Sequence, residues 1–362
     1  MKLVLDTHCE VYDLLKPWAD AEFWNLREHI EDEKLIPGAV YLIGRQQLSI
    51  NLSTIRELTT NKTIKIVFSN PAEGSSPLKT HCETIYQLDD LIKSNQILLI
   101  GGGDMESSWP CLTYDCFLSK ILDYRENALA INKSEKIYIT QNKPYKFLFL
   151  NGRARNHRLR LLQRFQSNNL LDTCLWSNLD LANGVPIQYL PIKYEVDQFR
   201  KNYNIACTTQ FAKNTLFGSI WGDIYLTPEP YVDTYFSLVT ETVFTYPHSF
   251  RTEKIWKPVA MGHPWIAVAN QGFYRDMHNL GFQTFGHVID ESFDKIENNQ
   301  ERIERIADVV EDLCQQDLAN LLKECYNVCK YNQQHLAEMR IKVRKEFPDR
   351  FFQFIEQHNF NE

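Results

Sequence analysis

Short apolar runs and amphipathic stretches take turns along the first third of the chain. Residues 3–5, 39–43, 64–68 and 96–100 read as strands, and residues 22–31, 48–58, 84–93 and 111–124 as helices or turns between them. Strand alternating with helix predicts a parallel sheet, because parallel neighbours need a crossover connection rather than a tight hairpin. Residues 133–146 are polar, with Asn142, Lys143 and Pro144 near their end, and read as an interdomain linker. A second alternating series follows. Residues 146–150 (KFLFL), 236–239 and 265–269 read as buried strands, and residues 153–165, 253–261 and 272–280 as helices. From Asn298 on, Ile303, Ile306, Val310, Leu313, Leu321, Leu322, Cys325 and Val328 recur at helical spacing, with Pro348 expected to break the helix before a last amphipathic segment at 350–358.

The pattern gives an α/β protein with three parts: residues 1–142 as an N-terminal Rossmann-like domain, 143–330 as a second one, and 331–362 as a helical segment packing back on the first. A length of 362 residues agrees with two domains. With 44% apolar and 23% charged residues the composition is that of a globular protein. A formal net charge of −7 argues against nonspecific nucleic-acid binding, which needs a basic face. No apolar run approaches the ~20 residues that span a bilayer, and the start MKLVLDTHCE reads as a first strand rather than a signal peptide. The nine cysteines are scattered, with no C-x-x-C pair, so buried thiols in a reducing, cytoplasmic setting are expected.

The segment richest in chemistry is YFSLVTETVFTYPHSFRTEKIWKPVAMGHPWIAVANQGFYRDMHNLG, residues 235–281. It runs strand, acidic residue, loop, T-E-K, helix, strand, helix. A helix starting near Thr252 presents backbone N–H groups and a positive dipole end, which suit nucleotide phosphates. Lys254 in its first turn opposes the dipole, and a bound diphosphate would account for it. Glu253 and Glu241 are placed to accept from ribose or sugar hydroxyls, since ligands of open α/β sheets sit at the carboxyl ends of strands. Taken alone, a T-E-K triplet is more often the start of a mixed-charge surface helix; set between two strand-like runs, with an acidic residue on the preceding one, the phosphate reading is favoured.

In FLFLNGRARNHRLRLLQRF, residues 147–165, a strand ends at Asn151 and Gly152 and opens into a helix rich in arginine. Gly152 allows close approach of backbone to a ligand. Arg153, with Arg155 or Arg158, is placed to fork onto phosphate oxygens, while Arg160 and Arg164 read as a solvated basic face. In ILLIGGGDMESSWP, residues 97–110, a strand gives way to three glycines whose spacing does not fit G-x-G-x-x-G. Asp104 and Glu106 in that loop are candidates for a general base, and Ser107 or Ser108 is equally a helix cap with ordinary acids before it. A weaker cluster, Asp6, His8 and Glu10, follows the first strand. The chain holds no convincing D-x-D, G-x-x-x-x-G-K-[ST], H-E-x-x-H or G-x-S-x-G, so no metal or other cofactor is expected.

Two stretches carry a resemblance. F-S-L-V-T-E-T followed by F-R-T-E-K-I-W-K-P-V-A-M-G-H-P-W-I resembles the nucleotide-sugar-binding region of α1,3-fucosyltransferases and their bacterial and viral relatives, and F-L-F-L-N-G-R-A-R-N-H-R is similar to the first strand and helix of that family's C-terminal domain. The resemblance covers residues 146 to about 282. It implies a GT-B glycosyltransferase, with two Rossmann-like domains facing a central cleft, a GDP-sugar donor, no metal and inversion at the anomeric carbon. It further implies that Arg153 or a neighbour and Lys254 hold the diphosphate, Glu253 the ribose, and Glu241 the ribose or donor. The chain departs from the family at Thr242, at residues 244–248 and at Gly262-His263-Pro264, which bears on the sugar more than on the fold. The acceptor stays open among a glycan, a lipid-linked sugar, a protein and a nucleobase, as does the oligomeric state. Two other readings keep the fold: a nucleotide-sugar epimerase or hydrolase, and a non-catalytic nucleotide-binding or interaction protein.

Overall fold

The computed structural model describes residues 1–61, 63–72, 88–104, 110–123, 125–151, 155–178, 226 and 228–358. The chain is an α/β protein with two parallel sheets and a long C-terminal helix. It divides into two compact units, one of residues Met1–Cys116 with Ile341–Glu362, the other Phe117–Arg340.

In the first unit six parallel strands stand in the order β2-β1-β3-β4-β5-β6: β1 Leu3–Asp6, β2 Ala21–Phe23, β3 Val40–Gly44, β4 Lys65–Asn70, β5 Ile97–Gly101 and β6 Cys111–Thr113. Every residue of β1, β3 and β5 is buried, as expected of parallel strands covered on both faces. The helices Leu26–Glu31 (α1), Arg45–Thr60 (α2) and Asp89–Lys93 (α3) follow β2, β3 and β4. Two elements differ from the sequence expectation. Residues 22–31 begin with the edge strand β2 before α1, and residues 111–124 begin with β6 rather than helix. Both strands are only three residues long, too short to carry an alternation.

In the second unit four parallel strands stand in the order β10-β9-β7-β8: β7 Tyr145–Asn151, β8 Leu175–Asn178, β9 Thr234–Thr240 and β10 Trp265–Val268. Phe147, Phe149, Phe165, Phe236, Trp256 and Trp265 fill its core. Its longer helices among the described residues include Arg125–Ile131 (α4), Asn156–Ser167 (α5), Glu253–Met261 (α6), Phe273–Asn279 (α7) and Asn299–Leu313 (α8). Residues 133–146 pack in this unit: Tyr138 donates to the Gly262 carbonyl, and Ile137 is fully buried. Arg160 stays exposed, as expected of a basic face, while Arg164 is half-buried, and both pair with acids of α8. Arg164 reaches Glu304, Asp308 and Glu311 of α8, and Arg160 pairs with Glu304.

The last helix, α9, runs unbroken from Leu318 to Gln357 and contains Pro348. The expected break is absent because Phe347 and Phe351, on either side of the proline, are both fully buried, Phe347 against Tyr114. Packing there outweighs the one backbone hydrogen bond a proline removes. Cys325 and Cys329 share a buried face of α9. Among the described residues no helix is long and apolar enough to cross a membrane.

Candidate functional site

The carboxyl end of β9 and the start of α6 bring Glu241, Thr252, Glu253 and Lys254 into one hydrogen-bonded group, and Asn151 ends the neighbouring strand β7. The register is the cause. Leu148 pairs with Ser237, which sets Asn151 level with Thr240 at the ends of two central strands. Thr240 Oγ1 donates to Asn151 Oδ1 at 2.6 Å, fixing which way the amide faces. Asn151 is 1% exposed, and its Nδ2 has no hydrogen-bond partner. A buried amide donor left unpaired costs about 1–3 kcal/mol, so this group has a donor to give and no acceptor among the described residues.

Glu241 follows β9 and is fully buried. Its Oε1 accepts from the Thr252 N–H at 3.1 Å, and its Oε2 from Thr252 Oγ1 at 2.6 Å and the Thr242 N–H at 3.3 Å. The carboxylate thus holds the loop between β9 and α6 in place. Burial raises its pKa against the opposing effects of the Lys254 charge and the Thr252 hydrogen bonds.

Thr252 is the cap of α6, its Oγ1 accepting from the Lys254 N–H at 3.3 Å. The same oxygen accepts from Lys254 Nζ at 3.1 Å. With one hydrogen given to Glu241 and two acceptor sites filled, the Thr252 hydroxyl is saturated. Lys254 Nζ donates also to Thr242 Oγ1 at 3.3 Å and Glu253 Oε1 at 2.6 Å, so its three protons all have acceptors. Its side chain keeps 26% exposure, against 12% for Glu253. Burial alone would push the Glu253 carboxyl up, but the Lys254 and Lys257 charges outweigh it and hold it below the usual carboxylate range. Two carboxylates next to one lysine are therefore driven in opposite directions by their surroundings.

The first turn of α5 supports this end of the sheet. His157 Nε2 donates to the Glu241 carbonyl at 3.0 Å, a direction fixed because a carbonyl only accepts, and the ring stacks on Phe244. Arg158 is 2% exposed, and its Nη2 donates to the carbonyls of Thr240 and Glu241 at 2.9 and 3.2 Å. Arg158 thus fastens α5 to the end of β9. Arg155 precedes the helix and is exposed. Gly152, Arg153 and Glu106 lie outside the described residues, and Asp104 is half-buried in the turn after β5 of the first unit.

The sequence singles out neither His157 nor Thr240, although both orient the groups it does select. The signal for Thr240 is its place opposite Asn151 once β7 and β9 are paired. Among the described residues, no three or more His, Cys, Asp or Glu side chains gather as a metal ligand set. No family model, curated protein or solved structure matches the chain.

Proposed function

We propose that the chain is a glycosyltransferase of the GT-B type, transferring a sugar from a nucleoside-diphosphate sugar, a GDP-sugar foremost, to an acceptor hydroxyl with inversion. What supports the reading above all is the network of Glu241, Thr252 and Lys254 at the start of α6, with the unpaired Asn151 amide one strand away. The α6 terminus and Lys254 supply positive charge, and Asn151 Nδ2 a fixed donor, where a diphosphate needs both. The diphosphate takes Lys254 from Glu253, and the freed Glu253 carboxylate accepts from ribose hydroxyls. Arg153 and Arg155 are the further candidates for phosphate.

The acceptor oxygen attacks the anomeric carbon from the face opposite the leaving group. The anomeric C–O bond breaks, and its electron pair departs with the nucleoside diphosphate. Lys254 and the helix terminus stabilise the charge that grows there. Each charge-assisted contact contributes roughly 1.5–3 kcal/mol. The reading calls for no metal, and for a general base on the acceptor side, where Asp104 and Glu106 are the candidates from the sequence.

The test is a thermal-shift panel of GDP, UDP, CDP, ADP and CMP in the presence of EDTA, on wild type and Lys254→Ala. Ligand binding to the native state alone raises the melting temperature by mass action. A shift with one nucleoside diphosphate, lost in the variant, is the expected result. No shift with any nucleotide overturns the reading.

A further inference from the structure

Behind the end of β9, wholly within the second unit, a buried cation, a phenyl ring and an imidazole lie against one another. Arg302, near the start of α8, is 2% exposed. Its Nη1 donates to the carbonyls of Ile296 and Glu297 at 2.8 and 3.3 Å, and its Nη2 to the Phe244 carbonyl at 2.8 Å and to Asn299 Oδ1 at 2.5 Å. None of these four acceptors bears a charge, and the buried Nε–H has no hydrogen-bond partner. Stability alone would favour an apolar side chain here, since it fills such room without desolvating a guanidinium. What an apolar residue cannot do is grip both the carbonyl and the ring of one neighbour. The guanidinium carbon of Arg302 stands 4.4 Å from the centroid of the Phe244 ring.

Phe244 belongs to the loop between β9 and α6. Its ring stacks on His157, with centroids 5.2 Å apart and planes 17° from parallel, and His157 Nε2 donates to the Glu241 carbonyl at 3.0 Å. The Glu241 carboxylate in turn accepts from the Thr252 N–H and hydroxyl at 3.1 and 2.6 Å, and Thr252 Oγ1 accepts from Lys254 Nζ at 3.1 Å. Contacts therefore run without a gap from the guanidinium on α8 to the ammonium at the start of α6. Arg302 holds the Phe244 backbone, and the ring is held by its two neighbours. Together they fix the course of the loop as it leaves β9, and α6 begins where that loop ends.

We propose that Arg302 is a positioning residue of the donor site, acting through Phe244, His157 and Glu241 on where Lys254 meets the diphosphate. It needs no contact with the ligand. The identity of that ligand rests on the transferase reading above; the effect on Lys254 rests on the column of side chains alone. Spatial continuity by itself does not establish coupling, which is shown when a change at one end moves the group at the other.

The experiment uses the full chain with ¹⁵N-labelled histidine and lysine. Arg302→Met removes the charge and the fork. Phe244→Leu keeps the carbonyl that Arg302 binds and removes only the ring, so it tests the column even where Arg302→Met does not fold. Ile306→Val, a trimmed buried residue of the same helix and core, is the control for a loosened fold. In the free wild type neutral His157 is expected as the Nε2–H tautomer. Both column variants should move the population toward Nδ1–H and shift the Lys254 ammonium resonance, and the control should leave both in place. GDP affinity by isothermal titration should fall by about 2–30-fold in the column variants and stay at the wild-type value in Ile306→Val. A wild-type His157 tautomer and Lys254 resonance in the column variants would overturn the proposal. So would undiminished GDP affinity in them, or an equal loss in the control. Failure of every nucleotide to bind the wild type would sink the transferase reading separately, and the two resonances would still decide whether Arg302 positions Lys254.

Discussion

Thr252 Oγ1 donates a 2.6 Å hydrogen bond to Oε2 of Glu241, a carboxylate with no exposure to solvent. The bond joins the residue after β9 to the cap of α6 across a loop, and the Thr252 backbone N–H adds a second link to Oε1. Replacing Thr252 by valine keeps the shape of the side chain and removes the oxygen. The helix then loses its cap, and Glu241 loses its shortest donor. The two losses together should destabilise the protein by about 2–4 kcal/mol, while Thr252→Ser should stay within about 1 kcal/mol of wild type. Urea unfolding checks this: the valine variant should show a lower midpoint with an unchanged slope. Equal midpoints for the two variants would mean that the hydroxyl carries no structural task.

Asn151 separates binding from stability. Its Oδ1 is engaged by Thr240, and its Nδ2 has no partner. Asn151→Asp keeps an acceptor for Thr240 and puts a second carboxylate oxygen where the free donor was. Under the proposed function, GDP affinity should fall by roughly tenfold or more, the worth of a lost charge-assisted contact, and more strongly than for Asn151→Ala, because the new charge repels the diphosphate. Isothermal titration with GDP measures the order. Undiminished affinity in Asn151→Asp would remove Asn151 from the donor site.

Three strands of the second unit, β7, β9 and β10, were legible because parallel strands buried on both faces are written as plain apolar runs, KFLFL in β7, FSLV in β9 and WIAV in β10, whereas the edge strand β8 was not read. The start of α6 was legible because Thr252 is a capping residue ahead of an apolar face. Edge strands β2 and β6 were not, being three residues long. Pro348 misled because a local rule yielded to tertiary packing at Phe347 and Phe351. At the candidate site, residue types and strand ends could be read from the chain. What could not be read was where the side chains spend their hydrogen bonds. Arg158 belongs to an arginine-rich helix, yet it turns inward to the carbonyls of residues 240 and 241, some eighty residues away. The Asn151–Thr240 pair likewise exists only once the register between β7 and β9 is set.

Two buried histidines give the protein a definite response to acid. His157 is pushed down to about 3, first by burial and then by the Arg158 charge. His263 is also pushed down to about 3 by burial, although its Nε2 donates to the Thr234 carbonyl and its Nδ1 accepts from the Ser237 hydroxyl. Unfolded, each would titrate near its ordinary value of 6.5. Between those values the unfolded chain binds the proton and the native state does not. The stability these neutral rings contribute is therefore complete above pH 6.5 and is lost as pH falls toward 3. Glu241, whose pKa is raised, acts with the opposite sign: its ionisation disfavours the fold as pH rises. His263→Gln can keep one donor and one acceptor without a titrating group. Its urea midpoint should gain on wild type as pH falls from about 7 to about 4.5, with about one proton fewer taken up on unfolding. A midpoint difference that stays constant over that range would show that His263 does not titrate with folding.

The turn after α6 offers a test by coupling. Gly262 adopts φ +62° at the helix end, and a Cβ there would stand 2.6 Å from Cδ of Gln333. Gln333 Nε2 in turn donates to the Ala260 carbonyl in the last turn of α6, at 2.8 Å. Gly262→Ala thus imposes two costs: a left-handed backbone that alanine resists, about 1 kcal/mol, and displacement of Gln333 from its carbonyl, about 1 kcal/mol more. Gln333→Ala alone should cost about 1 kcal/mol. In the double variant the clash is gone, so only the backbone cost adds to the loss of Gln333, and the total should fall short of the sum of the single effects by roughly 1 kcal/mol. Urea denaturation of the four proteins closes the cycle. Strict additivity would mean that the strain of Gly262→Ala is all in the backbone and that Gln333 moves aside without cost.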